Sequence, residues 1–376
     1  MEFGRRDFLK GATAMLVVGI VDCAASSDGR RTYSVPVLGD IHFDSPDPKF
    51  YHANYTHSTS QKRYKAHLAE HVRNSEMWKE RLPRLVRASG ACLRKDAAFA
   101  LQMGDLVQGD CGNAAMHRRM LDDAFAFVKG AYGGNLPLVT VAGNHDIRGD
   151  MKGDGAKKTL EKWLPETMAK ELGVPVKGTT FSFRQGPDVF IVVDFNEPRP
   201  DFALVKRLLA ESEDARYTFI ASHGPAIPSG QTRWFLLGGK KRDAQRRELR
   251  SILARRNAIA LGGHTHNLEF IDCAFPEGRI TQFVFNSVWS KPEWATANVL
   301  GDGAAAFGNH AFTDNGLRTN AADKAELVGE YQPFVKGYFF AAAAGHYRLD
   351  VSDAGVSVAF YGGDATTPSR TFRKAT

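Results

Sequence analysis

The chain has 376 residues, a formal net charge of +7 and a hydrophobic fraction of 43%. This composition is that of a globular protein, which excludes a disordered or collagen-like chain, and the length suffices for one large domain. The positive charge attracts anions at long range. It is spread along the chain and no nucleic-acid-binding motif accompanies it, so a specific nucleic-acid partner is not expected.

The N-terminal segment has the features of an export signal. Arg5 and Arg6 precede Phe-Leu-Lys and a short apolar stretch, residues 11–21, which is followed by small residues. We therefore predict a signal peptide over residues 1–25. The apolar stretch is too short for a transmembrane anchor. The paired arginines resemble a twin-arginine (Tat) signal, which implies the Tat translocase as a partner and a periplasmic or extracellular location.

Two alternatives for this segment stay open. One is a basic amphipathic helix that belongs to the fold, although the apolar stretch lacks helical periodicity. The other is lipid attachment at Cys23, which Asp22 disfavours by standing directly before it. Beyond the leader, three cysteines remain without CxxC spacing, so a disulfide framework is not expected. They are Cys92, Cys111 and Cys273.

Five short apolar segments are each followed directly by polar residues. The segments are residues 35–38, 99–103, 138–141, 217–222 and 259–261, and the polar residues that follow them are Asp40 and His42, Asp105, Asn144 to Asp146, His223, and His264 and His266. Such segments predict buried strands, and helical patterns at 116–129 and 202–210 lie between them. The alternation predicts an α/β core. Because ligands bind beyond the carboxyl ends of strands, we expect all five clusters to meet at one edge.

Seven of these polar side chains are suitable ligands for two metal ions. Asp, His and Asn offer oxygen and nitrogen donors that suit Mn, Fe or Zn. A pair of ions needs a bridging carboxylate and further ligands on each side. Glycines at 39, 104, 143 and 263 are expected to let the backbone turn sharply beside the ligands.

The order of these motifs, from about Val35 to about Ser287, resembles that of calcineurin-like metallophosphoesterases. The resemblance implies an α/β (α+β) fold, a four-layer α/β/β/α sandwich of two mixed sheets flanked by helices. It also implies an enzyme that hydrolyses phosphate monoesters or diesters by in-line attack of a hydroxide that bridges two metal ions.

The family pattern assigns roles to the individual residues. It implies that one metal binds Asp40, His42 and His266, the other binds Asn144, His223 and His264, and Asp105 bridges them. His145 matches the family's catalytic histidine, which protonates the leaving oxygen or stabilises charge there. For Asp146 two interpretations are open: it orients His145 and raises its pKa, or it is a turn residue.

Three further regions complete the predicted single domain, residues 31–376. Residues 43–78 are a long insertion, which we predict to be a cap over the metals; a plain surface insertion is the alternative. Within it, His67 and His71 share a helix face, which makes a third metal site an alternative. We expect instead that this helix face is solvated. Residues 289–345 are expected to be a second irregular excursion, and residues 346–362 a C-terminal hairpin.

Some distinctions lie beyond these motifs. Monoester and diester hydrolysis use the same centre. No tyrosine follows Asp105 closely, so the tyrosinate ligand of purple acid phosphatases is missing at that place. The alternative to an enzyme is a protein of the same fold that binds a metal or a nucleotide without turnover; an intact ligand set and His145 argue against it.

Overall fold

The computed structural model describes residues 21–22, 30–53, 55, 61–149, 156–196, 201–228, 235–310 and 321–374. The predicted signal peptide lies outside the described residues, apart from Val21–Asp22, which form a two-residue strand, β1, beside Phe183 and Arg184. Among the described helices, none is long and apolar enough to cross a membrane.

One sheet has six strands and carries the first three motif clusters. Its strands are β2 (Tyr33–Leu38), β3 (Ala100–Gln102), β4 (Leu138–Thr140), β13 (Gly345–Ser352), β14 (Gly355–Gly362) and β15 (Arg370–Arg373). The spatial order is β15-β14-β13-β2-β3-β4. The strands β2, β3 and β4 are parallel, whereas the C-terminal strands join antiparallel. The carboxyl ends of β2, β3 and β4 therefore lie side by side.

The second sheet has nine strands and carries the other clusters. Besides β1 it contains β5 (Phe181–Gln185), β6 (Asp188–Val193), β7 (Thr218–Ser222), β8 (Ile259–Gly262), β9 (Leu268–Phe275), β10 (Gly278–Val284), β11 (Asn298–Asp302) and β12 (Val335–Ala342). The order is β1-β5-β6-β7-β8-β10-β9-β12-β11, with β6, β7 and β8 parallel. The prediction of two mixed sheets is confirmed.

Helices cover the outer faces of both sheets. They are α1 (Gln61–Lys79), α2 (Arg81–Ala91), α3 (Ala114–Ala131), α4 (Ala156–Leu172), α5 (Phe202–Glu211), α6 (Asp243–Arg255), α7 (Phe307–His310) and α8 (Ala321–Tyr331). Helices α2 and α4 pack on the six-stranded sheet, and α5 and α6 on the nine-stranded one. Buried apolar side chains fill the space between these layers, which gives the predicted four-layer arrangement.

The C-terminal segments are more regular than the sequence indicated. The hairpin predicted at 346–362 is present as β13 and β14, with Asp353 and Ala354 in the turn. The predicted irregular excursion at 289–345 is wrong for its second half, since α8 and β12 are regular and β12 pairs along β9. Glycine, alanine and lysine in residues 335–342 obscured a strand that sheet pairing stabilises.

Candidate metal centre

Loops from both sheets bring the predicted ligands together. In the six-stranded sheet, Asp40 and His42 follow β2, Asp105 follows β3 and Asn144 follows β4. In the nine-stranded sheet, His223 follows β7, and His264 and His266 follow β8. The clusters therefore converge from the ends of two facing sheets and not at one edge of a single sheet, as the strand pattern alone had suggested. The backbone amide of His264 donates to the Asp40 carboxylate at 3.1 Å, which joins the two sides.

Four of the predicted ligands have an unusual backbone conformation. The φ angles are 42° at His42, 50° at Asp105, 71° at His264 and 53° at His266. L-residues with side chains rarely adopt this left-handed region, and such strain collects at functional sites. The conformation turns each side chain out of the strand direction and toward the space between the sheets.

Two of the four motif glycines are required for different reasons. Gly104 has a φ of 87°, so it supplies the expected sharp turn. At Gly143 the reason is space, because a Cβ there would lie 2.0 Å from the backbone nitrogen of Asp105. The motif glycines thus permit close approach of the ligand loops as well as tight turns.

The first group of potential ligands contains Asp40, His42, Asp105 and His266. Its ligand atoms lie within 4.8 Å of one another. The Nε2 atoms of His42 and His266 are 3.2 Å apart, within the separation of about 3.0–3.4 Å expected for two nitrogens bound to one ion at about 2.1 Å in octahedral or tetrahedral geometry. These two rings therefore face a common point.

The second group contains Asp105, His223 and His264, so Asp105 belongs to both groups. Nε2 of His223 lies 3.2 Å from Nδ1 of His264 and 3.2 Å from a carboxylate oxygen of Asp105. The other ring nitrogen of His223 donates to the Met103 carbonyl at 2.8 Å, which leaves Nε2 for the centre.

Asn144 adjoins the centre, because its neighbours Gly143 and His145 both approach Asp105. Its side-chain oxygen is buried and has no hydrogen-bond partner among the described residues. A buried, unpaired amide oxygen is unfavourable by roughly 1–3 kcal/mol unless a further group binds it. Six of the seven predicted ligands thus belong to the two groups, and the unpaired oxygen of Asn144, the seventh, fits a ligand position.

The buried charges of the centre are strongly coupled. Burial opposes the ionisation of Asp105, but the neighbouring His223 outweighs it and holds the pKa of Asp105 well below its usual range. Burial alone would lower the pKa of His223, yet Asp105 and Asp40 raise it to about 10. Burial lowers the pKa of His42 to about 3, so its ring is neutral. Two carboxylates among mostly neutral imidazoles form a strong cation site.

His145 lies against the centre with its ring fixed at both nitrogens. Nδ1 donates to the Gln108 carbonyl at 3.0 Å, and Nε2 accepts from Nη1 of Arg148 at 3.2 Å. The ring packs edge-on against His42, with centroids 4.4 Å apart. Burial and the adjacent Arg148 cation hold the pKa of His145 well below its usual range. The expectation that Asp146 raises this pKa is therefore wrong.

Asp146 stabilises the loops instead. One carboxylate oxygen accepts from the Val107 amide at 3.0 Å and the other from the Gly143 amide at 2.8 Å. Its backbone carbonyl lies 2.7 Å from Nε2 of His117. Asp146, predicted as catalytic, is thus a turn residue that ties the Asp105 loop to the Asn144 loop, which was the alternative interpretation.

Arg148 is a residue whose role the motifs did not reveal. Besides His145, its guanidinium lies 2.8 Å from a carboxylate oxygen of Glu70 and 2.7 Å from one of Asp110. It stands four positions after Asn144, outside the motif, and no spacing rule indicates its contacts with α1 and with the loop after β3. Folding brings these partners together.

Gln102 was missed in the same way, although the sequence held a signal for it. It is a fully buried amide within an apolar strand. Its Nε2 donates to the carbonyls of Gly39 and Gly104, and its Oε1 accepts from the Thr140 hydroxyl. A polar residue in a buried strand has to satisfy its hydrogen bonds, and here it does so by joining three ligand loops.

A pocket of about 250 Å³ opens beside the centre. His42, His145 and His266 line its inner end, and Arg73 and Met77 of α1 line another side. Helix α1 also supports the ligand loop directly, because Nε1 of Trp78 donates to the His42 carbonyl at 2.8 Å. One part of the 43–78 insertion therefore forms a wall of the pocket, and another part packs in the core of the domain.

The comparisons with known proteins agree with this geometry. The sequence profile described as calcineurin-like phosphoesterase matches residues 34–268, more than half of the chain. The chain belongs to the calcineurin-like phosphoesterase family. This is a family of hydrolases that act on phosphoester bonds. The matched segment contains every predicted metal ligand. No curated protein matches the chain.

Two solved structures share the fold of this calcineurin-like phosphoesterase. Purple acid phosphatase PPD1 from yellow lupin has a TM-score of 0.53 at 11% identity, over 92% of this chain and 54% of that one. The structure of PhoD has a TM-score of 0.51 at 11% identity, over 92% of this chain and 70% of that one. The chain thus spans about half the length of the lupin protein. At this identity the likeness concerns the fold alone.

Proposed function

We propose that this protein is an exported phosphoesterase with two metal ions in its active site. The observation that carries the proposal is the pair of ligand groups that share the Asp105 carboxylate. A shared carboxylate between two sets of nitrogen and oxygen donors is what a dinuclear hydrolase requires. Asp40, His42 and His266 would hold one ion, and Asn144, His223 and His264 the other.

The donor set supports this assignment. The paired ring nitrogens at 3.2 Å, the unpaired oxygen of Asn144 and the orientation of His223 by the Met103 carbonyl are all accounted for by bound cations. When bound, two ions such as Mn, Fe or Zn supply an activated hydroxide and neutralise charge on the phosphoryl oxygens.

His145 and Arg148 would act on the leaving group of a substrate bound in the pocket. Nε2 of His145 accepts from Arg148 in this structure, and Nδ1 already donates to the Gln108 carbonyl. The ring would therefore assist a leaving oxygen only after Nε2 exchanges the contact with Arg148 and takes up a proton. Arg148 keeps positive charge next to it, and Glu70 and Asp110 hold the guanidinium in place. Together they would stabilise negative charge as the ester bond breaks.

The pocket favours a small phosphoester as substrate. Its volume of about 250 Å³ is below the range of about 300–1,000 Å³ typical of drug-sized ligands. Residues 43–78 would then act as the predicted cap, since α1 already forms one wall. The proposal includes monoesters and compact diesters alike.

A hydrolysis panel on metal-loaded protein tests the proposal. Mono- and bis-nitrophenyl phosphate, nucleotides, sugar nucleotides and phospholipid head groups are offered to the same preparation with Mn, Fe or Zn. We expect turnover that disappears after chelation and returns with metal. His145→Ala should keep both ions and lower kcat about 10²–10⁴-fold. Active protein with fewer than two ions per chain contradicts the dinuclear centre, and metal-loaded protein inert on every ester favours a non-catalytic binding protein.

Export is a separate part of the proposal and rests on residues 1–25. We infer a Tat signal from Arg5 and Arg6, with the folded, metal-loaded domain of residues 31–376 as cargo. Replacement of both arginines by lysine should trap the precursor in the cytoplasm, as cell fractionation would detect. Unchanged export by the double variant contradicts the Tat route.

A further inference from the structure

A second histidine–carboxylate cluster lies beside the centre, outside the ligand set proposed above. Asp44, His52 and His71 are all buried, and their potential ligand atoms lie within 4.8 Å of one another. Asp44 and His52 belong to the segment between β2 and α1, and His71 belongs to α1 itself. The expectation of a solvated helix face is wrong for His71, which is 1% exposed.

His71 is the side chain that requires an explanation. Neither of its ring nitrogens has a hydrogen-bond partner among the described residues. Its Nε2 is 3.9 Å from the nearest oxygen of Asp110, too far for a hydrogen bond. A buried imidazole with two unpaired nitrogens is unfavourable, and a bound ion is one of the few groups that resolve it. Burial lowers the pKa of His71 to about 2, so the ring is in the neutral form that binds metals.

His52 is oriented as a ligand. Its Nδ1 lies 3.1 Å from the Asp110 carbonyl, an acceptor, so Nδ1 carries a proton. Nε2 faces the Asp44 carboxylate at 3.0 Å. In this structure Nε2 also donates to that carboxylate, since burial opposes protonation of His52 but Asp44 outweighs it and raises the pKa. A bound ion would take the place of the Nε2 proton, while the Asp110 carbonyl holds the other side of the ring. The ring of His71 stacks on that of His52, with centroids 3.7 Å apart.

We propose that Asp44, His52 and His71 bind a third divalent transition-metal ion, of the Zn²⁺ class. Two imidazole nitrogens and one carboxylate oxygen are a common ligand set for such ions. Ligands of one ion at about 2.1 Å are about 3.4 Å apart. The two rings are stacked at an interplanar angle of 14°, so binding requires the ring of His71 to rotate out of the stack as well as to approach the other ligands by roughly 1 Å. This site is independent of the dinuclear centre and of the hydrolytic activity.

The third ion would fasten the insertion to the active site. Asn74 of α1 donates to the His42 carbonyl and lies 3.5 Å from the Asp44 carboxylate, so the cluster and the ligand loop share a contact. Crosslinking α1 to the segment after His42 would stabilise one wall of the pocket and the strained loop behind it. The role is structural, since neither histidine lines the pocket.

The test is the number of ions bound by the full-length protein. Protein loaded with Zn²⁺ and freed of loose metal by dialysis is analysed by elemental mass spectrometry. We expect three ions per chain for the wild type and two for His71→Phe, which preserves the stacked ring and removes both nitrogens. His346→Phe is the matched control, because His346 is also buried and stacked, on Tyr361 with centroids 4.8 Å apart; it should retain three.

Two further variants keep the outcomes distinct. Asp44→Asn should also lose one ion, and it replaces His71→Phe if that protein fails to fold. Asp105→Ala should lose metal from the dinuclear centre and keep the ion bound by His71. Three ions that persist in both His71→Phe and Asp44→Asn overturn the third site, as does a wild type with two ions that the variants retain. In the latter case the dinuclear proposal stands.

Discussion

The ligand loops, which carry the seven predicted metal ligands, and the C-terminal hairpin are both largely buried, but they differ in the kind of residue that they bury. The loops bury carboxylates and imidazoles, and four of their residues have left-handed backbone. In the hairpin, β13 and β14 are paired strands in which most residues are buried and most of the buried residues are apolar. The loops therefore carry strain and buried charge, whereas the hairpin supplies apolar burial that stabilises the fold. The difference indicates that the site depends on structure built elsewhere in the chain.

The two regions are connected through β2. Strand β13 pairs along β2, with Leu349 opposite Val35, and Asp40 lies just beyond the end of β2. The hydroxyl of Tyr347 donates to the Asn286 carbonyl at 3.0 Å and accepts from its amide at 2.9 Å. Mutations in each region can test whether this connection transmits changes, or whether function in the loops and stability in the hairpin are separate.

The largest effect is expected at the shared carboxylate. Asp105→Ala should lower kcat/KM by about 10³-fold or more, since the residue would contact both ions and no other carboxylate among the described residues belongs to both groups. Metal content should fall in parallel, measured on the same protein. Asp350→Ala, in the hairpin, is the control and should retain metal and activity. An active Asp105→Ala protein would contradict the assignment of the metal site to the ligand loops.

Leu349→Ala in β13 should act on stability alone. The side chain is fully buried, and its truncation should lower the free energy of unfolding by about 2–5 kcal/mol. Urea denaturation measures this change, and Val299→Ala, at a 46% exposed position, should shift it by less than about 0.5 kcal/mol. Below the unfolding transition, kcat per folded molecule should be unchanged. A large fall in kcat would show that the hairpin also sets the ligand geometry.

His346 gives the hairpin a specific pH dependence. Burial lowers the pKa of His346 to about 4 from its ordinary value of 6.5. The unfolded chain then binds a proton that the folded one does not, so stability is present above pH 6.5 and falls as the pH drops toward 4. His346→Phe should remove about 2 kcal/mol of this loss between pH 7 and 4.5, measured as unfolding free energy across pH. Parallel pH profiles for the two proteins would refute this assignment.

The smallest effect is expected at Asp146. Asp146→Asn places an amide group against one of two backbone N–H donors, which should destabilise the protein by about 1–2 kcal/mol. Because Asp146 holds loops and does not contact the ring of His145 among the described residues, the pH profile of kcat should keep its shape. A changed profile, compared with that of wild type at equal metal loading, would instead support a role in orienting His145.

Sequence patterns predicted the centre better than its surroundings. The polar residues after buried strands were identified because strand ends and ligand chemistry are both local. The role of Asp146, the position of Arg148 and the burial of His71 depend on contacts with distant segments, as in the bond between Arg148 and Glu70, 78 positions apart. No local pattern contains such contacts.

By itself, the sequence determined the α/β core and the seven potential ligands, because apolar periodicity and donor types are properties of short segments. The two-sheet architecture was implied by the resemblance of the motif order to a known family. Tertiary structure decided that the ligands meet from two sheets, that Asp146 caps backbone amides and that Val335–Ala342 is a strand of the larger sheet. It also gathered the cluster at Asp44, His52 and His71. The physical reason is that hydrogen-bond partners, burial and close approach arise only when segments distant in the chain pack together.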